Sequence, residues 1–192
     1  MNLNEAQIAV LAENLYQELE LWYPLMRLRE EGCNVVVVGP AVQTYASKLG
    51  YPVKPDVAIA DADPAMFDAV VIPGGFAPEN MRRHKAMIEF VRKTHDQGSL
   101  IAAVCHAGLV LASAEIARDR DLTCVALVIP GGNVARLADD GAFRAFLRDA
   151  AQKRVRIAAA SQAASLAPDS LVARTTDDVP QWTRNLITEL SR

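Results

Sequence analysis

A cysteine and a histidine stand side by side at Cys105 and His106, directly after five small or apolar residues at 100–104. That run predicts a buried strand, and the residues from Gly108 onward predict the first turns of a helix. Cys105 is then expected at a sharp strand-to-helix turn, where the helix dipole and free backbone N–H groups stabilise a thiolate. His106 could take the thiol proton and later deliver it to a leaving group. The alternative is a buried structural cysteine beside a structural histidine.

A glycine pair after the preceding apolar run is the second candidate element of a site. Asp68 to Ile72 predicts a buried strand, and Gly74 and Gly75 lie in the turn that closes it. Because glycine has no Cβ, the backbone N–H groups of this turn could approach a developing oxyanion. The alternative is an ordinary turn between a strand and a helix.

Carboxylates are the third candidate element. Glu18, Glu20 and Glu79 follow the first and third predicted strands, so they are expected at the same edge of the sheet as the cysteine. A protonated or shared carboxyl near the sulfur could hydrogen-bond the thiolate and tune its pKa, while the alternative for each glutamate is a solvated charge. His84 and His95 have no ligand-like spacing, so we expect surface residues there, with no metal site and no cofactor.

Alternating strand and helix patterns surround these residues and predict one α/β domain over 1–192. Strand, helix and strand follow one another within about 30 residues, which is a βαβ unit and implies a parallel, doubly wound sheet. Pro24 implies that the first helix either begins near Tyr23 or kinks. Residues 45–59 are expected to be irregular or a small hairpin. The predicted strands are Gln7–Ala12, Asn34–Gly39, Asp68–Ile72 and Leu100–Val104, and the predicted helices are Glu18–Glu31 and Pro78–His95.

The composition indicates a folded protein of a reducing compartment. Hydrophobic residues make up 51% of the 192 residues, which argues against disorder. The net charge of −3 gives no reason to expect nucleic acid or an acidic membrane surface as a partner. The three cysteines form no CxxC pair, and we find neither a signal peptide pattern nor an apolar run near about 18 residues. We therefore expect a cytoplasmic protein without membrane contact.

The second half of the chain contains an imperfect repeat of two motifs from the first half. The motif Val-Ile-Pro-Gly-Gly at 71–75 recurs at 128–132, and the segment 101–107 recurs in altered form at 157–163. In the second copy Ser161 and Gln162 replace the cysteine and the histidine, so we expect no chemistry there. The alternative is that any unit of strand, glycine turn, helix and strand shows this pattern.

Four motifs together resemble the ThiJ/PfpI superfamily, and most closely its PfpI-type branch of intracellular protease and glyoxalase III-like proteins. They are Glu20-Leu-Trp-Tyr-Pro24, Lys48-Leu-Gly-Tyr-Pro-Val-Lys-Pro-Asp56, Phe67-Asp-Ala-Val-Val-Ile-Pro-Gly-Gly-Phe-Ala-Pro-Glu79 and Ala103-Val-Cys-His106. Residues 118–123 also look like a stretch of that branch, and 170–180 looks like its carboxyl-terminal strand before the last helix. The resemblance covers residues 7–124 and 168–190, and the segment 126–167 is atypical.

The resemblance implies a flavodoxin-like three-layer sandwich of the class I glutamine amidotransferase type, with a mostly parallel, doubly wound sheet. Cys105 would be the nucleophile, and Glu20 would contact its thiol. His106 would be the partner base, and Glu79 would complete a Cys-His-Glu triad, which in that branch forms across a subunit interface. The backbone N–H groups of Gly75 and His106 would form the oxyanion hole.

The same resemblance implies a homodimer or higher homo-oligomer, and the activities found in the family include peptidase, glyoxalase, protein deglycase and chaperone-like holdase. This chain departs from the branch in three places. Gln17 and Glu18 alter the acidic cluster before the helix glutamate, and Ala107-Gly108 replaces the usual Gly-Pro. The segment 126–167 is longer than in that branch and looks more like the flavodoxin-like domains of large catalases or the amidase-like domains of some regulators.

We therefore expect a cysteine-dependent hydrolase or lyase whose partner is a small carbonyl electrophile or a peptide. A second hypothesis is a non-catalytic stress-response redox sensor or holdase, in which Cys105 is oxidised to a sulfinic acid held by Glu20. A third hypothesis is a ligand-binding module similar to the amidase-like domains of regulators, and the absence of a DNA-binding helix pair weighs against it.

Overall fold

A computed structural model describes residues 2–117, 121–122, 156–157, 164–165, 170–173 and 179–191. The strands within these ranges are β1 Gln7–Leu11, β2 Asn34–Gly39, β3 Tyr45–Ala46, β4 Pro52–Val53, β5 Val57–Ala58, β6 Ala69–Ile72, β7 Leu100–Val104, β8 Asp121–Leu122, β9 Arg156–Ile157, β10 Ala164–Ser165 and β11 Ser170–Ala173. The α-helices are α1 Glu18–Glu30, α2 Ala77–Met81, α3 Lys85–Asp96, α4 Gly108–Ser113 and α5 Val179–Leu190. One turn of 3-10 helix, Cys105–Ala107, joins β7 to α4.

Seven strands form the central sheet in the order β10-β11-β7-β6-β1-β2-β5. Each neighbouring pair is parallel except β10 and β11, which are antiparallel. Two smaller pairs lie outside this sheet, the antiparallel hairpin β3–β4 and the parallel pair β8–β9. The mostly parallel sheet expected from the sequence is therefore confirmed.

The central strands are apolar because both of their faces are covered. Every residue of β6 and β7 is buried, and in β1 only Gln7 is partly exposed. Val35 to Val38 make β2 β-branched on both faces, which suits a parallel strand packed between two layers of helices. The register places Ile8 between Val35 of β2 and Ala69 of β6.

The chain winds outward from the middle of the sheet in two directions. From β1 it passes through α1 to β2 on one side, and from β6 it passes through α2 and α3 to β7 on the other side. Because crossovers between parallel strands are right-handed, α1 and α3 lie on opposite faces of the sheet. The helix α5 packs against α1 and β11, so it belongs to the same layer as α1. The result is a flavodoxin-like three-layer sandwich.

Local structure differs from the sequence prediction in three segments. The helix α1 begins at Glu18, well before Pro24, so a start near Tyr23 is wrong; Gln17 caps the helix by accepting the Glu20 N–H at 2.9 Å. The single helix predicted for 78–95 is two helices, because the chain turns after α2 and His84 is extended before α3 begins. The small hairpin predicted within 45–59 is confirmed as β3–β4, but the edge strand β5 was not predicted.

Several sequence predictions lie outside the described residues. These are nearly all of the second copy of the repeated motifs, most of the atypical segment 126–167, and residues 118–120 and 123 of the 118–123 stretch. The carboxyl-terminal strand and last helix are confirmed as β11 and α5. The assignment of 1–192 to one domain stays a prediction. In the part of the chain that the structure covers, no helix combines the length and apolar character needed to cross a membrane.

Candidate active site

The candidate site lies where the strand order reverses, between β1 and β6. The loops that follow these two strands are joined through their backbones at the carboxyl edge of the sheet. Tyr16 and Gly75 form an antiparallel bridge, and the Phe76 N–H donates to the Leu15 carbonyl oxygen at 2.9 Å. Ligands of open α/β sheets bind in the crevice at this position.

Cys105 is held at this edge in a strained backbone conformation. Its φ is 59°, in the left-handed region that a non-glycine residue rarely adopts, and such strain costs about 1–3 kcal/mol. The residue lies between the end of β7 and the 3-10 turn before α4, and only 8% of its surface is exposed. The sharp turn predicted at this cysteine is therefore present.

Glu20 and Gly74 meet the cysteine from two other elements. Glu20 lies in the first turn of α1, is fully buried, and accepts the Gly74 N–H at Oε2 over 2.9 Å. A Cβ on Gly74 would lie 2.5 Å from Cys105 Cβ and 2.5 Å from Glu20 Oε2. Any residue with a Cβ at position 74 would therefore clash with both side chains, so the arrangement requires glycine there.

The Cys105 thiol has a strongly raised pKa. Burial raises it first, and the charge of the neighbouring Glu20 carboxylate raises it further, to about 12. Backbone N–H groups of Gly75 and His106 hydrogen-bond the sulfur and lower the pKa, but they are outweighed. The expected stabilisation of a thiolate is therefore only partly present, because a buried carboxylate in hydrogen-bond reach of the sulfur favours the neutral thiol.

His106 is in contact with the sulfur and is neutral in its surroundings. Its Nδ1 lies 3.4 Å from Cys105 Sγ. Burial, and then the positive charge of Lys48, lower the pKa of the imidazole. The ring also stacks on Phe76, with 6.4 Å between centroids and 17° between planes. A neutral imidazole beside the sulfur can accept a proton.

The other two candidate carboxylates have different partners. Within the chain, Glu79 accepts from Arg82 at 3.2 Å and from Arg83 at 3.1 Å, and the hydrogen bonds of the described residues include none between Glu79 and His106. Glu18 accepts from the Ser47 hydroxyl and from the Leu49 N–H, which anchors the β3–β4 hairpin. Of the three glutamates predicted for this edge, the structure brings only Glu20 to the cysteine.

Sequence reasoning missed three features of this edge. Lys48 and Phe76 stand beside His106, although both belong to motifs that carried the family resemblance. His84 is exposed, as the sequence predicts, but its Nε2 also donates to the buried Glu13 carboxylate at 3.0 Å, a contact that was not predicted. These contacts form between the loop after β1, the β3–β4 region and the turn after β6, and no local pattern reveals such pairings.

A separate cleft of about 590 Å³ lies beside α1 and does not include Cys105. Its walls are mainly apolar and belong to α1 and the turn before β4, and they comprise Glu18, Leu19, Trp22, Met26, Leu49, Gly50, Tyr51 and Pro52. Among the residues that the structure describes, no three His, Cys, Asp or Glu side chains are grouped so that they could hold a metal ion. The expectations of no metal and no cofactor stay predictions.

Comparison with known proteins decides the family. The model of the DJ-1/PfpI family matches residues 6–127, which is well over half of the chain and contains every candidate residue described above. The chain belongs to the DJ-1/PfpI family. The resemblance drawn from the sequence motifs is thereby confirmed.

Several relatives and solved structures are similar to this member of the family. Deglycase PfpI of Pyrococcus furiosus is 37% identical over 114 residues, which cover 59% of this chain and 69% of the relative. Protein/nucleic acid deglycase 2 of Escherichia coli is 33% identical over 125 residues, which cover 64% of this chain and 73% of the relative. A two-domain protein of Anabaena variabilis, with DJ-1/ThiJ/PfpI-like and ferritin-like domains, has a TM-score of 0.80 and 26% identity. That match covers 97% of this chain but 48% of the other, so this chain spans about half of that protein.

Proposed function

We propose that this protein is a cysteine-dependent enzyme that acts on small carbonyl electrophiles, in the manner of a glyoxalase or deglycase. One observation carries the proposal: a strained, buried Cys105 is in contact with a carboxylate, an imidazole and two backbone N–H groups at the topological switch point. The deglycase names of similar proteins favour a carbonyl substrate over a peptide.

The geometry supports a reaction that begins with addition of the sulfur to a carbonyl carbon. The raised pKa of Cys105 means that the resting group is a thiol, so its proton must leave as the sulfur attacks. Glu20 is within hydrogen-bond reach and receives that proton. The N–H groups of Gly75 and His106 act on the sulfur, so two backbone donors are available to the oxygen of the tetrahedral adduct.

For a dicarbonyl such as methylglyoxal, the adduct can then rearrange without an external oxidant. His106 moves a proton from the former aldehyde carbon to the former ketone carbon, and the hydroxyl proton of the adduct passes to the former ketone oxygen, which leaves a thioester of lactate. Water cleaves the thioester, lactate leaves, and the thiol is restored. A neutral imidazole is required for the first of these transfers, and the lowered pKa of His106 keeps it neutral.

The test measures lactate formed from methylglyoxal in phosphate buffer, and thiol released from the methylglyoxal adduct of N-acetylcysteine. Lactate must be measured directly, because that adduct falls apart spontaneously when free methylglyoxal is depleted. We expect Cys105→Ala to lose about a thousandfold or more of the lactate-forming rate. Cys33→Ala removes a second buried free cysteine of the described part of the chain and is the matched control. Full turnover by Cys105→Ala contradicts the proposal, and cleavage of a peptide without lactate formation assigns the site to peptidase chemistry instead.

The redox hypothesis for the same cysteine predicts a different result. If Cys105 is a sensor, dilute peroxide converts it to a sulfinic acid that mass spectrometry locates on the Cys105 peptide, while lactate formation is absent. The raised pKa of the thiol disfavours this outcome, since peroxide reacts with the thiolate. Lactate formation without selective oxidation of Cys105 supports the enzymatic function over the sensor hypothesis.

We also propose that the working unit is a homo-oligomer in which Glu79 serves the site of a neighbouring copy. Its pairing with Arg82 and Arg83 within its own chain, rather than with His106, supports this arrangement. Mixing inactive Cys105→Ala with inactive Glu79→Gln restores activity if Glu79 acts across an interface, because one mixed site then has both groups. Mixtures that stay inactive after subunit exchange contradict the proposal.

A further inference from the structure

Lys48 is a charged residue at the mouth of the candidate site that the proposed reaction does not use. Its backbone N–H donates to the Tyr16 carbonyl oxygen at 2.9 Å, which fixes the residue against the loop after β1. Its side chain is exposed, and Nζ lies 5.7 Å from the centroid of the Phe76 ring. This distance is typical of a cation–π contact.

The Phe76 ring links this ammonium group to the reacting sulfur. Phe76 stacks on His106, and His106 Nδ1 lies 3.4 Å from Cys105 Sγ. The charge of Lys48 reaches His106: burial lowers the pKa of the imidazole most, and the positive charge of Lys48 lowers it further. A ligand that passes over Phe76 toward the thiol therefore enters the field of a positive charge.

Lys48 forms no ion pair with any acidic side chain in the ranges that the structure describes. Glu18 is hydrogen-bonded by Ser47 and Leu49, and the charge of Lys48 acts on its carboxylate although the two side chains form no ion pair. Glu79 is engaged by its two arginines. The ammonium group is therefore available to an anion that arrives from solvent.

We propose that Lys48 is a specificity-determining residue that favours carbonyl substrates carrying an anionic group, such as a carboxylate, over neutral ones. The inference rests on the proposed function, in which Cys105 is the nucleophile. Because the ammonium is exposed and water screens its charge, the preference is modest, about threefold to tenfold.

The test uses two thiol reagents of similar size that differ in charge, iodoacetate and iodoacetamide. In both, the sulfur displaces iodide from a methylene carbon, so a C–S bond forms, the C–I bond breaks, and the thiol proton goes to solvent. Peptide mapping gives both alkylation rates at Cys105. Their ratio cancels any change in the reactivity of the thiol itself and reports only the attraction of the negative charge.

We expect Lys48→Gln to lower the ratio of iodoacetate to iodoacetamide rates at Cys105 by about threefold to tenfold. Lys48→Glu lowers it further, Lys48→Arg preserves it within about twofold, and 1 M salt removes the effect, since the Debye length is then about 3 Å. Lys93→Gln removes the same charge from an exposed lysine in the last turn of α3, at the opposite edge of the sheet, and leaves the ratio unchanged.

An unchanged ratio in Lys48→Gln overturns the proposal, as does an equal fall in Lys93→Gln or a Cys105 that neither reagent alkylates. Because the measurement needs no turnover, the two proposals fail separately. If the ratio of alkylation rates depends on Lys48 but the protein forms no lactate, only the proposed enzymatic function is contradicted. If the protein forms lactate but the ratio of alkylation rates is unchanged by Lys48→Gln, only the proposed role of Lys48 is contradicted.

Discussion

Two buried free cysteines lie at opposite edges of the same sheet, and they differ in almost everything but burial. Cys33 precedes β2 at the amino edge, and its N–H donates to the Leu28 carbonyl oxygen at the end of α1. Cys105 follows β7 at the carboxyl edge, with a φ of 59°. Burial raises the pKa of both thiols, and a nearby glutamate raises each further, Glu31 at Cys33 and Glu20 at Cys105.

The comparison shows that burial and a carboxylate do not by themselves make a nucleophile. What Cys105 has in addition is a strained backbone at a strand-to-helix turn, the N–H groups of Gly75 and His106 beside the sulfur, and an imidazole at 3.4 Å. At Cys33 the N–H group that lowers the pKa of the thiol is the residue's own, and the residue lies where α1 leads into β2. Changing one feature of the carboxyl edge at a time, with the amino edge or a remote position as the control, separates what each feature contributes.

Among the groups around Cys105, the largest expected effect comes from the Glu20 carboxylate. Glu20→Gln keeps an acceptor for the Gly74 N–H but cannot receive the thiol proton, so we expect lactate formation to fall by about a hundredfold to a thousandfold. Glu31→Gln makes the equivalent change beside Cys33 and should alter the rate little. An unchanged rate in Glu20→Gln would show that the proton leaves by another route.

Gly74→Ala should cost both stability and activity. The added Cβ would lie 2.5 Å from Cys105 Cβ and from Glu20 Oε2, and this overpacking destabilises the fold by about 3 kcal/mol. Gly98→Ala is the control: its φ is +89° but no heavy atom lies within 4 Å of the new Cβ, so only backbone strain of about 1 kcal/mol is expected. Urea unfolding measures both, and equal losses would contradict the close approach at Gly74.

The raised pKa of Cys105 predicts a characteristic pH dependence. Since the pKa is about 12, the thiolate fraction and the iodoacetamide rate at Cys105 should keep rising with pH through the ordinary range of a thiol, without levelling below about pH 11. In Glu20→Gln the rate should level at a lower pH, because the negative charge that raises the pKa is gone. A wild-type plateau near pH 8 would be inconsistent with a neutral resting thiol.

The smallest expected effect concerns His106. Its pKa is lowered by burial first and then by Lys48, so the neutral imidazole persists to lower pH and the acid limb of the rate profile lies below the usual range of histidine. Lys48→Gln removes one positive charge and should shift that limb upward by a fraction of a pH unit. Lys93→Gln should not shift it, and a downward shift in Lys48→Gln would contradict the electrostatic account.

Much of this fold could be predicted from the sequence because its determinants are local. The valine-rich run of β2 and the all-apolar runs of β6 and β7 specify buried parallel strands, and Gly74-Gly75 and Cys105-His106 mark their carboxyl ends. The break between α2 and α3 could not be predicted, since it depends on the extended backbone of His84. Nor could β5, a two-residue edge strand that pairs only with β2.

Part of the site could also be predicted from the sequence, because several of its residues directly follow strands that local patterns reveal. Cys105, His106 and Gly75 follow neighbouring strands, so their convergence follows from the parallel sheet alone. The position of Glu20 depends on α1 beginning at Glu18, and that of Lys48 on a hairpin bonded to Tyr16. Glu79 illustrates the limit, since its partners Arg82 and Arg83 directly follow the same short helix, and motif matching does not reveal that they bind its carboxylate.

The central claim, that Cys105 and not Cys33 carries the chemistry, is tested most directly by titrating the unmodified protein with iodoacetamide. Residual lactate formation and the occupancy of each cysteine are measured on the same samples. We predict that activity falls in proportion to alkylation of Cys105 and reaches zero at full occupancy, while Cys33 remains unmodified in the folded protein. Activity that persists when Cys105 is fully alkylated, or that instead follows the occupancy of Cys33, would contradict the account.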